Sequence, residues 1–290
     1  MLSFLHKPKA DLAIDLDDKS IYPGDTLNLR LYLTPRESFR IRSGTVELAC
    51  TEVYWKLVTT TTGKTTTTSN RKFTRKLFKL KESFLGATDL TSGMTLNQPV
   101  SMSIPADAPP TVSGKTASIT WEIDAKLDIP KMRDIHEKRT LVVRSIPTAA
   151  AVDEKGWTSP SYSVTDSSDQ CELKLSINTD TIGAGQSLRG TLEAQVKEQF
   201  DVRKVRVELE VEEKAGNKSS ATVADSNVLD GGPISFYGAD FRQWPFQLQI
   251  PDTPLPSVST SSTGVHWCIK GIMDRRLKQD LSVEKGIQVY

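Results

Sequence analysis

The histidines and aspartates are the residues of this 290-residue chain that could carry acid–base or metal chemistry. Catalysis of that kind needs several polar groups that converge on one point. The three histidines, His6, His136 and His266, are far apart in the sequence, and no HExxH, GxSxG or phosphate-loop motif occurs. We interpret the histidines as surface residues, so the sequence predicts no catalytic residue and a protein that is not an enzyme.

Four aspartates near the N-terminus could offer oxygen ligands to calcium. Asp15, Asp17, Asp18 and Asp25 are close in sequence, but their spacing fits no standard calcium loop. They are interpreted as solvated carboxylates of turns. The sequence therefore predicts no metal site and no cofactor.

The cysteines and the chain ends indicate where the protein resides. Cys50, Cys171 and Cys268 are odd in number and lack CxxC spacing, which favours reduced, packed thiols over disulfides or zinc. The N-terminus lacks the apolar core of a signal peptide, and no apolar run approaches the ~20 residues of a membrane span. The expected location is the cytoplasm.

One segment, 58–81, combines many threonines with many basic residues. Eight threonines flank Gly63-Lys64, and branched threonines favour extended backbone while glycine permits a tight turn, so the pattern predicts a long, protruding hairpin. The span 56–81 contains no acidic residue and eight basic ones. Residues 1–147 have 22 basic against 16 acidic residues, a net charge of +6, whereas residues 148–290 have −5.

Two interpretations of the basic hairpin stay open. Lysines along a sheet edge block edge-to-edge aggregation. Alternatively, the charges contact an acidic protein partner or an anionic membrane surface. Nucleic acid is not expected, because the net charge of the whole chain is only +1 and no reading motif occurs. The candidate partner-binding residues are Lys64, Arg71, Lys72, Arg75, Lys76 and Lys79.

The elements that carry these residues are strands, and the pattern of strands occurs twice. Residues 119–129 alternate apolar and polar side chains, which is typical of a half-buried strand, and residues 265–273 repeat the pattern 146 positions later. In the front of each half the offset is 161, so the first copy must contain an insertion of 15 residues. We predict domains at 1–147 and 170–290, joined by a linker at 148–169.

The predicted fold class is all-β, with two tandem immunoglobulin-like antiparallel sandwiches and little or no helix. No stretch shows convincing 3.6-residue periodicity, and prolines and glycines separate many short strands. Residues 132–137 are predicted to be a polar turn, and Leu141 to Val143 the closing strand of the first domain. Each half contains the same series of motifs: Pro23-Gly24-Asp25-Thr26-Leu27, Ile104-Pro105 and Trp121, then Gly185-Gln186-Ser187-Leu188, Ile250-Pro251 and Trp267.

This duplicated order resembles the arrestin superfamily, nearer to its α-arrestin, retromer-subunit and bacterial sporulation-control branches than to the receptor arrestins. The resemblance implies a non-catalytic scaffold or adaptor that binds a protein partner. Arg144 is similar in position to the arginine that joins a buried polar core in animal arrestins, which makes it a candidate polar-core residue. The sequence has no helix-like segment in the first domain, no long tail after Tyr290 and no Pro-Pro-x-Tyr motif. Tail release and ubiquitin-ligase recruitment are therefore not expected.

A second class of function is a tandem carbohydrate-binding or adhesin protein of the cell surface. Aromatic side chains would then stack on sugars, with Trp157, Trp244 and Tyr237 as the candidates. Such a protein needs export, and no export signal is visible. The sequence indicates neither the identity of a partner nor the oligomeric state.

Overall fold

A computed structural model describes residues 8–16, 20–145 and 162–290. The chain divides into two compact units, Met1–Ser145 and Ile146–Tyr290, called the N-terminal and C-terminal units below. No helix occurs in the described ranges, and therefore none that could cross a membrane. The predicted all-β sandwich class is confirmed.

The described part of the N-terminal unit consists of strands, nearly all paired in two sheets. One sheet has the order β1-β2-β7. The other has the order β10-β9-β4-β5, with β8 beside β9, and a small pair is formed by β3 and β6. The strands are β1 (Ala10–Leu16), β2 (Thr26–Pro35), β3 (Phe39–Ile41), β4 (Ser43–Thr62), β5 (Thr65–Leu85), β6 (Thr88–Leu90), β7 (Leu96–Ser103), β8 (Val112–Ser113), β9 (Ala117–Asp128) and β10 (Ile135–Leu141).

The core of this unit follows from the period of two. Every second residue of β2, from Leu27 to Leu33, is buried, and so is every second residue of β9, from Ala117 to Leu127. Side chains alternate between the faces of a strand, so each sheet presents one apolar face inward. Each large apolar side chain buried in this way contributes about 1.5–3 kcal/mol.

The C-terminal unit has the same kind of architecture. Its sheets have the orders β11-β12-β14-β19 and β13-β22-β21-β16-β17, with β20 beside β21, and β15 pairs with β18. The strands are β11 (Tyr162–Ser167), β12 (Cys171–Ile177), β13 (Thr181–Ile182), β14 (Ser187–Val196), β15 (Phe200–Val202), β16 (Lys204–Ala215), β17 (Lys218–Asp230), β18 (Ile234–Phe236), β19 (Phe241–Gln249), β20 (Val258–Ser259), β21 (Thr263–Asp274) and β22 (Leu281–Val289).

The two tryptophans that mark the repeat occupy matching environments in their own units. The indole N–H of Trp121 donates to the carbonyl of Pro109 at 3.0 Å, and that of Trp267 donates to the carbonyl of Leu255 at 2.8 Å. Both rings are buried. A buried indole needs an acceptor, and in each unit the acceptor lies on the loop that precedes the central strand.

The prediction for residues 132–143 was wrong. Strand β10 begins at Ile135, inside the predicted polar turn, and ends at Leu141, where the closing strand was expected to start. In β10 only the two end residues, Ile135 and Leu141, are buried, and the residues between them are polar or charged. The sequence of β10 therefore lacks the apolar alternation that identifies a strand, although it pairs with β9 throughout. Val143 instead forms an isolated parallel bridge with Ile21.

The predicted linker, 148–169, is described only in its last part. Residues 148–161 lie outside the described residues. At residues 162–167 the structure places a strand, β11, which pairs with β12 in antiparallel register. The polar composition of this segment suits an edge strand, which is why it lacked the alternation that identifies the other strands.

Candidate functional site

The long hairpin of the N-terminal unit extends past the sheet from which it arises. Strand β4 pairs with β9 only as far as Tyr54. Beyond that point its strand partner among the described residues is β5, from the pair Trp55 and Lys72 to the pair Thr62 and Thr65. At the start of this stretch the backbone N–H of Trp55 also donates to the carbonyl of Thr116 at 3.2 Å. We call residues Trp55–Lys72 the basic ribbon. In the C-terminal unit β16 and β17 have 12 and 13 residues, against 20 and 21 for β4 and β5.

A two-residue turn closes the basic ribbon. Gly63 and Lys64 lie between the paired residues Thr62 and Thr65, and Gly63 has a φ of 64°. Two-residue hairpin loops use turns in which glycine readily supplies a positive φ. The residues that flank such a loop exchange both backbone hydrogen bonds, and hydrogen-bonded and non-hydrogen-bonded pairs then alternate along the ribbon.

The short distances between threonine hydroxyl oxygens fit this alternation. The hydroxyl oxygens of Thr59 and Thr68 are 3.1 Å apart, and those of Thr61 and Thr66 are 3.3 Å apart. Both are non-hydrogen-bonded pairs in the alternation that starts at the turn, and side chains approach most closely in such pairs. The threonines therefore form a ladder of side-chain contacts that helps to hold a ribbon which no third strand supports among the described residues.

Four cations of the basic ribbon have no carboxylate beside them. Lys56, Lys64, Arg71 and Lys72 are exposed, and none forms an ion pair with a described residue. Lys56 and Arg71 are directly opposite each other in the register. Like charges in a cross-strand pair are destabilising by about 0.2–1 kcal/mol. The ribbon thus holds positive charge at an energetic disadvantage, as expected of a surface that meets an anion.

The other predicted cations are placed differently. Lys76 and Lys79 both contact Glu47, at 2.8 and 2.9 Å, and the hydrogen bond from Lys76 is the main reason why the pKa of Glu47 is lowered. Arg75 is opposite the fully buried Glu52 in the register. These three cations lie on β5 outside the basic ribbon, and two of them are paired with a carboxylate of the same sheet. The structure therefore separates the six predicted residues into two groups.

Apolar side chains lie beside the unpaired cations. Trp55 and Leu57 are each 39% exposed and Phe73 is 37% exposed. Phe73 stacks on Tyr54 with ring centroids 5.6 Å apart. Trp55, Lys56 and Leu57 were not among the predicted partner-binding residues. The sequence does carry a signal for two of them, since Trp55 and Leu57 are apolar residues in the exposed phase of a strand whose buried phase includes Leu48 and Cys50.

Arg144, the predicted polar-core residue, is exposed within the N-terminal unit. Its backbone N–H donates to the carbonyl of Ile21 at 2.8 Å. This bond continues the parallel bridge between Ile21 and Val143. The polar-core role stays a prediction.

The residues considered for catalysis or metal binding do not converge among the described residues. Nδ1 of His136 is 3.1 Å from Oδ1 of Asp124 on an exposed sheet face, and His266 is exposed on β21. Asp25 accepts a hydrogen bond from the backbone N–H of Tyr22 at 2.8 Å, which fixes a turn. In the described ranges no three His, Cys, Asp or Glu residues are grouped to hold a metal ion. Three candidates lie outside the described residues: His6, Asp17 and Asp18.

All three cysteines are free thiols in environments that disfavour the thiolate. Burial, with a smaller contribution from the charge of Glu52, raises the pKa of Cys50 to about 12. Burial likewise raises the pKa of Cys171 and of Cys268 to about 11. Only the thiolate is strongly nucleophilic, so these cysteines are packing residues.

We expect the folded protein to resist alkylation. At neutral pH, iodoacetamide should leave Cys50 and Cys171 unmodified in the native state and should modify all three thiols in denaturant. Cys268 should react first because it is only partly buried. Intact-mass measurement over time tests this, and native Cys50 reacting as fast as the denatured chain would contradict the assignment.

The aromatic residues proposed for sugar binding do not share one environment. Trp244 is half-buried and contacts Phe236 edge-on at 6.3 Å, whereas Tyr237 is 57% exposed. The guanidinium of Arg242 is 5.8 Å from the centroid of the Phe236 ring. Trp157 lies outside the described residues.

Fold and site together define a β-sandwich protein whose most distinctive exposed surface is a cationic ribbon. Residues 11–148 match the family model described as Arrestin (or S-antigen), N-terminal domain. The matched residues lie almost entirely in the N-terminal unit, which is therefore similar to the N-terminal domain of arrestins, proteins that are generally non-catalytic scaffolds. A comparison with curated proteins found no significant match.

Proposed function

We propose that this chain is a non-catalytic, cytoplasmic arrestin-like adaptor that binds an acidic protein partner through the basic ribbon. The observation that carries the proposal is the group of four exposed cations, Lys56, Lys64, Arg71 and Lys72, on a ribbon that extends past its sheet; none of them forms an ion pair with a described residue. An acidic partner would relieve the repulsion between Lys56 and Arg71. Because these charges are exposed, binding should weaken as salt increases.

Two further proposals concern how the two units arose and which arrestin branch the chain resembles most. We propose that the two units descend from one duplicated module, which the matching hydrogen bonds of Trp121 and Trp267 support. We also propose a position nearer to the α-arrestin, retromer-subunit and sporulation-control branches than to receptor arrestins. Its support is the all-strand composition of the described part of the N-terminal unit.

An anionic membrane surface is the second candidate for the ribbon. Trp55 and Leu57, both partly exposed next to Lys56 and Lys72, favour it, since tryptophan and basic residues suit the lipid interface. The tip of the ribbon favours a protein partner instead, because its eight threonines include no large apolar side chain that could insert into lipid.

A charge-reversal experiment tests the proposed function. The variant Lys56→Glu, Lys64→Glu, Arg71→Glu and Lys72→Glu should bind poly-glutamate about tenfold or more weakly than the parent protein, if each exposed contact contributes a few tenths of a kcal/mol or more. The matched control reverses four exposed cations outside the ribbon that likewise form no ion pair with a residue the structure describes: Lys131, Arg133, Arg276 and Lys278.

Two binding measurements distinguish an acidic protein partner from an anionic membrane. Binding is measured by fluorescence anisotropy for poly-glutamate and by sedimentation for vesicles of phosphatidylserine with phosphatidylcholine. Equal losses in both variants, or no binding of poly-glutamate by the parent protein, would overturn the ribbon as the binding surface. Ribbon-dependent binding of the vesicles without binding of poly-glutamate would replace the protein partner by a membrane.

A further inference from the structure

The outer edge of β5 has no strand paired to it among the described residues. In the sheet order β10-β9-β4-β5 it is the last strand, and its single described partner is β4. It is 21 residues long. An edge strand presents a row of backbone donors and acceptors that another chain can use.

The turn determines which backbone groups of β5 point outward. Thr65 flanks the two-residue loop and bonds back to Thr62, so in the basic ribbon the N–H and C=O groups of β5 alternate between β4 and the open edge. The outward-facing residues of β5 are then Thr66, Thr68, Asn70 and Lys72. On β4 the same alternation makes Thr59 face the opposite edge.

The threonine part of this edge lacks the usual protection against strand addition. Neither β4 nor β5 contains proline, and both register shifts between them, at Gly44/Thr45 and Cys50/Thr51, lie below the basic ribbon. Proteins protect open edges with prolines, bulges or charges. A two-stranded hairpin is marginally stable by itself, so a third strand would stabilise the ribbon.

We propose that an extended acidic segment of a partner protein adds as a strand to the edge of β5 between Thr66 and Lys72. This inference rests on the proposed function and specifies how the partner binds. The positive charge of β5 favours an acidic segment as the added strand. Strand β5 supplies six of the eight cations of 56–81, and no acidic residue lies between them. A second copy of this chain would bring cations against cations, which is unfavourable.

The edge of β5 is favoured over the edge of β4 for two reasons. Below Tyr54 the edge of β4 is covered by β9, whereas the edge of β5 continues without a described partner. Within the basic ribbon β4 contributes a single strand cation, Lys56, while β5 contributes Arg71 and Lys72. The incoming strand would therefore meet both the open backbone and the charge on β5.

A pair of proline substitutions tests the edge. Thr68→Pro removes an outward backbone donor from β5, and Thr59→Pro removes the corresponding donor from β4. The two residues face each other across the ribbon, so both substitutions remove the same hydroxyl contact. Proline is tolerated on edge strands where its missing N–H faces outward. The two variants thus differ mainly in which edge they block.

The probe is a peptide of alternating glutamate and valine, compared with the same peptide N-methylated at every second residue. We expect Thr68→Pro to weaken binding of the unmethylated peptide about tenfold, roughly 1.4 kcal/mol, while Thr59→Pro changes it less than about twofold. The methylated peptide should bind at least about tenfold more weakly, because it lacks donors along one edge. Amide hydrogen exchange should show protection of Thr66 and Thr68 by the peptide and none at Thr59.

Each contrary result has a defined meaning. If both peptides bind equally, or both proline variants weaken binding equally with no protection along β5, strand addition is wrong while charge-based binding by the ribbon survives. If the parent protein binds neither peptide nor poly-glutamate, the proposed function fails as well. If Thr68→Pro disturbs folding, the protection pattern in the parent protein decides the question alone.

Discussion

Replacing Asp274 with alanine is expected to lower the free energy of unfolding of the C-terminal unit by about 2–4 kcal/mol, because it leaves the largely buried guanidinium of Arg206 without one of its two carboxylate partners. The Asp274 residue is 8% exposed. It accepts hydrogen bonds from Arg203, including one from Nε at 2.8 Å, and from Nη1 of Arg206 at 3.4 Å. Arg206 is itself largely buried, and among the described residues Glu208, at 2.6 Å, is the one carboxylate that it keeps when Asp274 is removed.

The N-terminal unit supplies the matched control, Asp128→Ala. Asp128 occupies the same place: Arg42 donates its backbone N–H to the Asp128 carbonyl at 2.8 Å, as Arg203 does to Asp274 at 2.7 Å. Its side chain is 3.7 Å from Arg42, and the two side chains are 37% and 62% exposed. Exposed pairs contribute about 0–1 kcal/mol, so the loss should stay within that range.

Urea denaturation, with hydrogen exchange to assign each loss to its unit, measures both variants. Equal losses for Asp274→Ala and Asp128→Ala would contradict the argument from burial. The expected difference between the two stability losses follows from the sequence. At the offset of 161, Arg206 corresponds to Thr45 and Glu208 to Glu47, so the N-terminal unit lacks the second arginine that completes the network.

The strands and the hairpin turn could be predicted because they depend on local patterns. Alternation over residues 119–129 predicted β9, and all its apolar positions through Leu127 are buried as expected. Threonines around Gly63-Lys64 predicted an extended hairpin with a glycine turn, and the structure places the turn there. Both signals need only neighbouring residues, since strand period and turn chemistry are properties of short segments.

The division of the six predicted cations could not be predicted, because it depends on residues distant in sequence. Lys76 contacts Glu47, 29 residues away, only because the register between β4 and β5 shifts at Cys50/Thr51. A shift of one residue moves side chains to the opposite face. The pairing of β4 with β9 ends at Tyr54, and this end point also depends on segments that are distant in sequence. It determines which cations belong to the basic ribbon.

Replacing Trp121 with alanine is expected to destabilise the N-terminal unit by about 3–5 kcal/mol, as for other large buried aromatic residues. The ring is fully buried, donates to the carbonyl of Pro109 at 3.0 Å and contacts Phe78 with centroids 5.8 Å apart. Trp121→Phe should cause a smaller loss, about 1–3 kcal/mol, through the unsatisfied carbonyl and the lost volume. Trp55→Ala is the matched control, and its loss should be below about 1 kcal/mol because Trp55 is 39% exposed.

Hydrogen exchange after Trp121→Ala would also show how the basic ribbon relates to its unit. Amides of β4 that pair with β9, up to Tyr54, depend on the core around Trp121 and should exchange faster in the variant. Amides of β4 from Thr59 to Thr62 lie where β5 is the one described strand partner. We expect these amides to open locally in the parent protein, so their exchange should remain unchanged in the variant. Accelerated exchange throughout the ribbon would mean that it folds as one unit with the core, and a partner could not then stabilise the ribbon alone.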